Sequence, residues 1–126
     1  MGRPASAILT DAELRIMRVL WARTEATSVE IVDAIGDPPL ARNTVMTTLG
    51  VLERKGYVTH RADGRTFVYT AVVGQDAARS GALESLIQRF FDGSAKQLVV
   101  KLLDDVPLGG DERARIERLL ADLEDA

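Results

Sequence analysis

Residues 57–71, YVTHRADGRTFVYTA, interrupt a chain that is otherwise patterned for helix, and they narrow the choice of fold more than any other stretch. Two β-rich runs, Tyr57–Arg61 and Arg65–Ala71, flank Ala62-Asp63-Gly64. An Asp-Gly pair between such runs is a strong hairpin signal. A lone two-stranded hairpin is marginal in water, so it has to lean on other elements. Three helical patterns precede it. Thr10-Asp11-Ala12-Glu13 is a capping box, and Leu14, Met17, Leu20 and Trp21 then recur at helical spacing, predicting a helix over 11–23. Thr27-Ser28-Val29-Glu30 is a second box, followed by Ile31, Val32 and Ile35, and this short helix stops at Gly36 before Pro38-Pro39. The third pattern, ARNTVMTTLGVLERKGYV (residues 41–58), closes at Lys55-Gly56 but opens on Ala41, a poor cap that leaves Asn43 or an upstream carbonyl to compensate.

Three helices followed by a two-stranded hairpin is the order of a winged helix-turn-helix. The third helix has a mixed composition that suits this order. Arg42, Asn43, Thr44, Met46 and Thr47 put hydrogen-bonding groups and one thioether at its start, while Val45, Leu49 and Leu52 are spaced as core. A helix entering a DNA groove reads bases with its first turns and packs with the rest. Arg42 and Asn43 suit guanine and adenine edges or phosphate, and the alternative is a solvated helix start. Thr44 and Thr47 lie three apart and offer hydroxyls to phosphate or methyls to thymine, or bond a carbonyl of their own helix. Met46 either touches a thymine methyl or fills the core. Arg61 and Arg65 flank the wing turn and suit phosphate or minor-groove contact, against a solvated hairpin tip. Gly50 either permits a close backbone approach or is a tolerated surface glycine. Trp21, Tyr57, Phe67 and Tyr69 read as core or wing packing, and His60 as a structural or surface residue.

The net charge of −3 conceals an uneven distribution. Residues 1–72 hold nine Lys/Arg against eight Asp/Glu, and residues 73–126 hold seven against eleven. Within 40–69 five basic residues face two acidic ones, a local positive patch on an acidic chain. With no cysteine and one histidine, thiolate zinc sites, disulfides and histidine-pair metal sites are excluded, and no cofactor and no catalytic constellation are expected. No apolar run approaches the roughly 20 residues that cross a bilayer, and the N-terminus lacks the apolar core of a signal peptide, so the expected location is cytoplasmic without membrane insertion.

From Val73-Gly74 onward the pattern is helical again. Leu83, Leu86, Ile87, Phe90 and Phe91 form one stripe, interrupted at Asp92-Gly93-Ser94. Leu98, Val99, Leu102 and Leu103 form a second, ended by Pro107 and Gly109-Gly110. Asp111 is expected to cap a third, with Ile116, Leu119, Leu120 and Leu123. Three short helices are too few to build an independent core, yet their apolar side chains are dense. Burial against a second copy solves this, so a homodimer is expected through Leu83, Leu86, Ile87, Phe90, Phe91, Leu98, Leu102, Ile116, Leu119 and Leu120. The fold class expected is mostly α with a small β-hairpin wing: a winged-helix DNA-binding domain over 1–72 and a helical dimerisation domain over 73–126. Disorder is expected only in the first handful of residues and the last few.

LTDAELRIMRVLW, TVMTTLGVLERKGYV, RTFVYTAVV and RFFDGSAKQLVVKLL at these spacings resemble the penicillinase-repressor (BlaI/MecI) family of bacterial transcriptional repressors, from about Leu9 to Leu123. The resemblance implies a dimeric repressor on a dyad operator of a resistance or stress operon. It also implies derepression by a membrane-bound metalloprotease that senses a β-lactam and leads to cutting of the C-terminal helical region. Members cut in this way carry an Asn-Phe pair in the helix matching LVVKLL, where this sequence has Lys101-Leu102. The substitution implies a protease of different specificity or no scission. The copper-responsive branch carries a cysteine cluster, which this chain lacks. Two other readings stand beside the repressor: a winged-helix module that binds protein, and a repressor induced by a small-molecule ligand rather than by proteolysis.

Overall fold

The computed structural model describes residues 8–125; the ends for which disorder was expected, and the Leu123 side chain, lie outside the described residues. The elements run in the order α1 (Asp11–Arg23), β1 (Glu25–Thr27), α2 (Ser28–Ala34), α3 (Arg42–Lys55), β2 (Val58–Asp63), β3 (Thr66–Ala71), α4 (Gln75–Phe90), α5 (Ala95–Asp105) and α6 (Gly110–Asp125). Both capping boxes form. Thr10 Oγ1 accepts from the Glu13 amide at 3.2 Å while Glu13 Oε1 accepts from the Thr10 amide at 2.8 Å. Thr27 and Glu30 repeat the exchange at the same distances. α3 ends as the sequence predicts, on Gly56 in the left-handed region (φ +89°), whose amide donates back to Glu53 and Leu52.

The sheet has one strand more than the sequence predicts. β1, β3 and β2 lie side by side, all antiparallel, so that the three-residue β1 covers the outer edge of β3. In the hairpin Asp63 pairs with Thr66, which makes Gly64-Arg65 the two-residue turn. Ala62 and Asp63 are therefore strand residues rather than part of the turn. Only Gly64 of the two turn residues has positive φ (+64°), the requirement of a turn with glycine first. β2 accordingly runs two residues beyond Arg61, and β3 starts at Thr66 rather than Arg65.

The chain divides into two compact units within α4, between Ala82 and Leu83, past the 72/73 position chosen from sequence. The first two turns of α4 belong to the first unit because Ala78 is buried in its core. That core is built by Ile16, Met17 and Leu20 of α1, Ile31 of α2, Val45, Leu49 and Leu52 of α3, and Tyr57, Val58 and Tyr69 at the sheet. Burial of large apolar side chains at roughly 1.5–3 kcal/mol each is what holds the sheet against the helices. Trp21 is half-buried, its Nε1 donating to the Val73 carbonyl at 2.9 Å.

The second unit holds the end of α4 with α5 and α6. Ser94 caps α5 by accepting from the Gln97 amide at 3.1 Å. Arg113 Nη1 of α6 donates to the Leu103 carbonyl at 2.7 Å, tying the two helices together. α6 begins at Gly110, so Asp111 lies in its first turn rather than at the cap, where its charge still complements the helix dipole.

Candidate nucleic-acid interface

The start of α3 is presented by anchors at both of its ends. Upstream, Arg15 of α1 donates to the carbonyls of Ile35 and Pro38, fastening the segment that leads into the helix. Downstream, Lys55 Nζ reaches both carboxylate oxygens of Glu13 at 2.8 Å. Glu13 is nearly fully buried, and it caps α1 with the same group. Burial pushes its carboxyl up, but the bonds from Lys55 and Thr10 outweigh that and hold it below the usual carboxylate range.

Between these anchors the helix divides as its composition suggests. Val45, Leu49 and Leu52 are fully buried. Arg42, Asn43, Thr44, Met46 and Thr47 are all exposed, which removes the core alternative for Met46. Neither Asn43 nor any other side chain caps the helix: Ala41 only accepts the first helical bond, from Val45 at 3.0 Å. The first-turn amides thus have no side-chain cap among the described residues, an arrangement suited to an anion.

The basic residues of 40–69 are not equivalent. Lys55 is taken up by Glu13 and Arg61 by Glu25, the latter through Nη2 at 3.0 and 3.1 Å from the two carboxylate oxygens. Arg61 therefore ties β2 to β1, a role that sequence reading did not foresee and that competes with phosphate contact. Arg42, Arg54 and Arg65 are the exposed cations of the stretch that pair with nothing among the described residues. Arg54 was not selected from sequence. The signal was its spacing, since Asn43, Thr47, Gly50 and Arg54 follow i, i+4, i+7, i+11 along one face. A Cβ at Gly50 would meet only the end of the Arg54 side chain at 3.7 Å, so the glycine serves no close backbone approach among the described residues.

On the wing, His60 Nδ1 lies 2.6 Å from Glu53 Oε1 of α3, with its ring 4.6 Å from Phe67 and 5.5 Å from Tyr69. Tyr57 and Tyr69 are buried, whereas Phe67 is half exposed under the histidine. His60 is thus a structural link between α3 and the wing.

In the second unit the apolar stripes stay largely uncovered. Leu103 is the one buried side chain among its described residues. Leu83, Leu86, Phe90 and Leu119 are exposed, Phe90 to 70 %, while Ile87, Phe91, Leu98, Leu102, Ile116 and Leu120 are only half-buried. Lys101 and Leu102 sit in the middle of α5, and Lys101 Nζ pairs with Asp105 one turn on at 2.9 Å. No helix among the described residues is long and apolar enough to cross a membrane.

Comparison with known proteins agrees with this geometry. The family model described as Penicillinase repressor matches residues 9–122. The "Transcriptional regulator BlaI" of Mycobacterium tuberculosis is 36 % identical over 121 residues, covering 92 % of this chain and 85 % of the relative. The "Penicillinase repressor" of Bacillus licheniformis is 27 % identical over 113 residues, covering 89 % of this chain and 88 % of the relative. Among solved structures, the solution structure of the DNA-binding domain of the repressor BlaI superposes with a TM-score of 0.52 at 28 % identity, covering 60 % of this chain and 93 % of that one. A mutant of MarR from E. coli, solved with operator DNA, superposes with a TM-score of 0.51 at 20 % identity over 91 % of this chain and 75 % of its own, a likeness of fold alone. The family consists of winged-helix transcriptional repressors rather than enzymes, and this chain, matched along nearly its whole length, belongs to the penicillinase repressor family.

Proposed function

We propose that this repressor binds a dyad operator as a homodimer, with the start of α3 in the major groove. The observation that carries the reading is the division within α3, where Arg42, Asn43, Thr44, Met46 and Thr47 are exposed on a helix seated by three fully buried residues. Arg42 and Asn43 read base edges, Thr44, Met46 and Thr47 contact phosphate or thymine methyls, and Arg65 at the wing tip contacts the backbone. Arg54 joins them as a phosphate ligand, because the far end of a recognition helix lies along the backbone. Arg61 contributes to phosphate only by giving up Glu25. A mobility shift at moderate salt tests the assignment. Arg42→Ala is expected to cost roughly 1–3 kcal/mol on the preferred sequence. Unchanged affinity and unchanged sequence preference in that variant would remove α3 from the groove.

Dimerisation is assigned to the second unit, from Leu83 onward, and the DNA contacts to the first. The second unit, with one buried side chain among its described residues, cannot pay the entropy of ordering three helices, and a second copy supplies the missing burial. Sedimentation of the full chain should give a dimer at micromolar concentration, and a monomer would contradict the assignment. We read the regulated genes as those of a resistance or stress operon, a reading that the relatives' names support, and the location as cytoplasmic. A membrane-bound sensor metalloprotease is the inducing partner that the resemblance implies. Here the Lys101-Leu102 bond offers such a protease a charged side chain paired with Asp105 inside a formed helix.

A further inference from the structure

A cavity of about 380 Å³ opens in the first unit between α1 and the first turns of α4, with no part in the DNA contacts described above. Its walls are mostly apolar, from Ile8, Leu14, Trp21 and Ala78, and Arg18 and Arg79 also line it. Three features of this arrangement point to a ligand. The volume lies in the range of small-molecule sites. No aspartate or glutamate lines it, and neither arginine makes a hydrogen bond or ion pair among the described residues. Two unpaired cations lining one apolar cavity favour an anion there. Finally, Ile8 remains 47 % exposed at the wall, and the indole of Trp21 has its one donor occupied by Val73, so both offer only apolar surface.

We propose that this cavity is a binding site for a compact amphipathic carboxylate, its apolar body against Trp21, Leu14 and Ala78 and its carboxylate between Arg18 and Arg79. Charge complementarity selects the anion, since a guanidinium donates paired hydrogen bonds to a carboxylate that an amide or alcohol cannot reproduce. The cavity size selects a body of one ring rather than a long chain. The proposal is independent of the DNA contacts, because none of these residues lies on the outward face of α3 or on the wing.

The chain contains one tryptophan, and Trp21 lines this cavity, so its fluorescence reports on the wall where the ligand would sit. The full-length protein is titrated with cyclohexanecarboxylate and, separately, with cyclohexanecarboxamide, following Trp21 emission and binding heat. The acid should bind saturably with one site per chain, at least tenfold more tightly than the amide. In the Arg18→Gln, Arg79→Gln double variant, which removes no hydrogen bond or ion pair among the described residues, acid binding should fall at least tenfold, to the level of the amide. Ala82→Phe, which narrows the cavity from its exposed edge, should weaken both ligands. Equal binding of acid and amide, a double variant that binds the acid like wild type, or no response of Trp21 to either ligand would overturn the proposal. The last result is the one expected if another part of the chain or a second copy fills the cavity. Operator binding measured on the same samples keeps a failure here separate from a failure of the DNA assignment.

Discussion

Removing the Glu13 carboxylate should destabilise the protein far more than an ordinary glutamate substitution. Its side chain is 4 % exposed and receives Lys55 Nζ on both oxygens at 2.8 Å, while one oxygen also caps the Thr10 amide. Breaking a buried pair from one side typically costs about 3–5 kcal/mol. Lys55 is 26 % exposed and can turn its ammonium to water, which lowers the charge contribution to about 2 kcal/mol. Losing the cap adds about 1 kcal/mol, so Glu13→Ala should cost about 3 kcal/mol in total. Glu13→Gln keeps the cap acceptor and should cost only the charge part. Urea unfolding at fixed protein concentration measures both, as a lower midpoint with an unchanged slope. The difference between wild type and Glu13→Gln should also depend on pH. Because the folded-state carboxyl titrates below its unfolded value, the stabilisation is complete above the ordinary glutamate pKa of about 4.3 and disappears as pH falls through the lower folded-state value. A cost below about 1 kcal/mol for Glu13→Ala, or a difference that stays constant from neutral pH to pH 3, would refute the anchoring of α3 by Glu13.

Arg65→Ala should weaken binding to every DNA sequence alike and flatten the dependence of log affinity on log salt by about one unit of slope, measured by anisotropy across a salt series. Gly50→Ala should raise stability by about 0.5–1 kcal/mol in the same urea experiment, since its Cβ meets only the flexible end of Arg54. Its operator affinity reports separately on how closely the DNA backbone approaches that position. In its native host under β-lactam challenge, the chain should not be cut between Lys101 and Leu102, and mass spectrometry of the fragments decides this. A cut there would release DNA by splitting the dimer core while leaving each winged unit intact, with the loss of linked half-sites.

What could be read from sequence was whatever depends on neighbours in the chain. Thr10 with Glu13, Thr27 with Glu30 and Gly56 after Lys55 are contacts made within one helical turn, and all three form. The division of α3 into exposed and buried faces was legible for the same reason, because Val45, Leu49 and Leu52 recur at the helical period. β1 was not. The tripeptide Glu25-Ala26-Thr27 carries no alternation of its own and becomes a strand only because Tyr69 and its neighbours in β3 offer it a ladder. The roles of Lys55 and Arg61 were hidden similarly, since each is decided by an acid on a distant element, Glu13 and Glu25. Net charge over 40–69 does not distinguish these two held cations from the free ones, Arg54 among them. The hairpin was legible in kind but not in register. Asp-Gly marks the turn, yet the strand pairing continues through Asp63 and leaves Gly64-Arg65 at the tip.

The most direct test of the central assignment is selection of bound sequences from a random duplex library by the full-length protein, run in parallel with Arg42→Ala. A dimer reading the major groove through two copies of α3 should enrich an inverted repeat whose half-sites lie one helical turn, or a multiple of it, apart. Arg42→Ala should lose the preference at one position in each half-site while keeping the spacing. Enrichment of a single undivided site, or a wild-type and Arg42→Ala selection that converge on the same sequence, would contradict a dyad read by the start of α3.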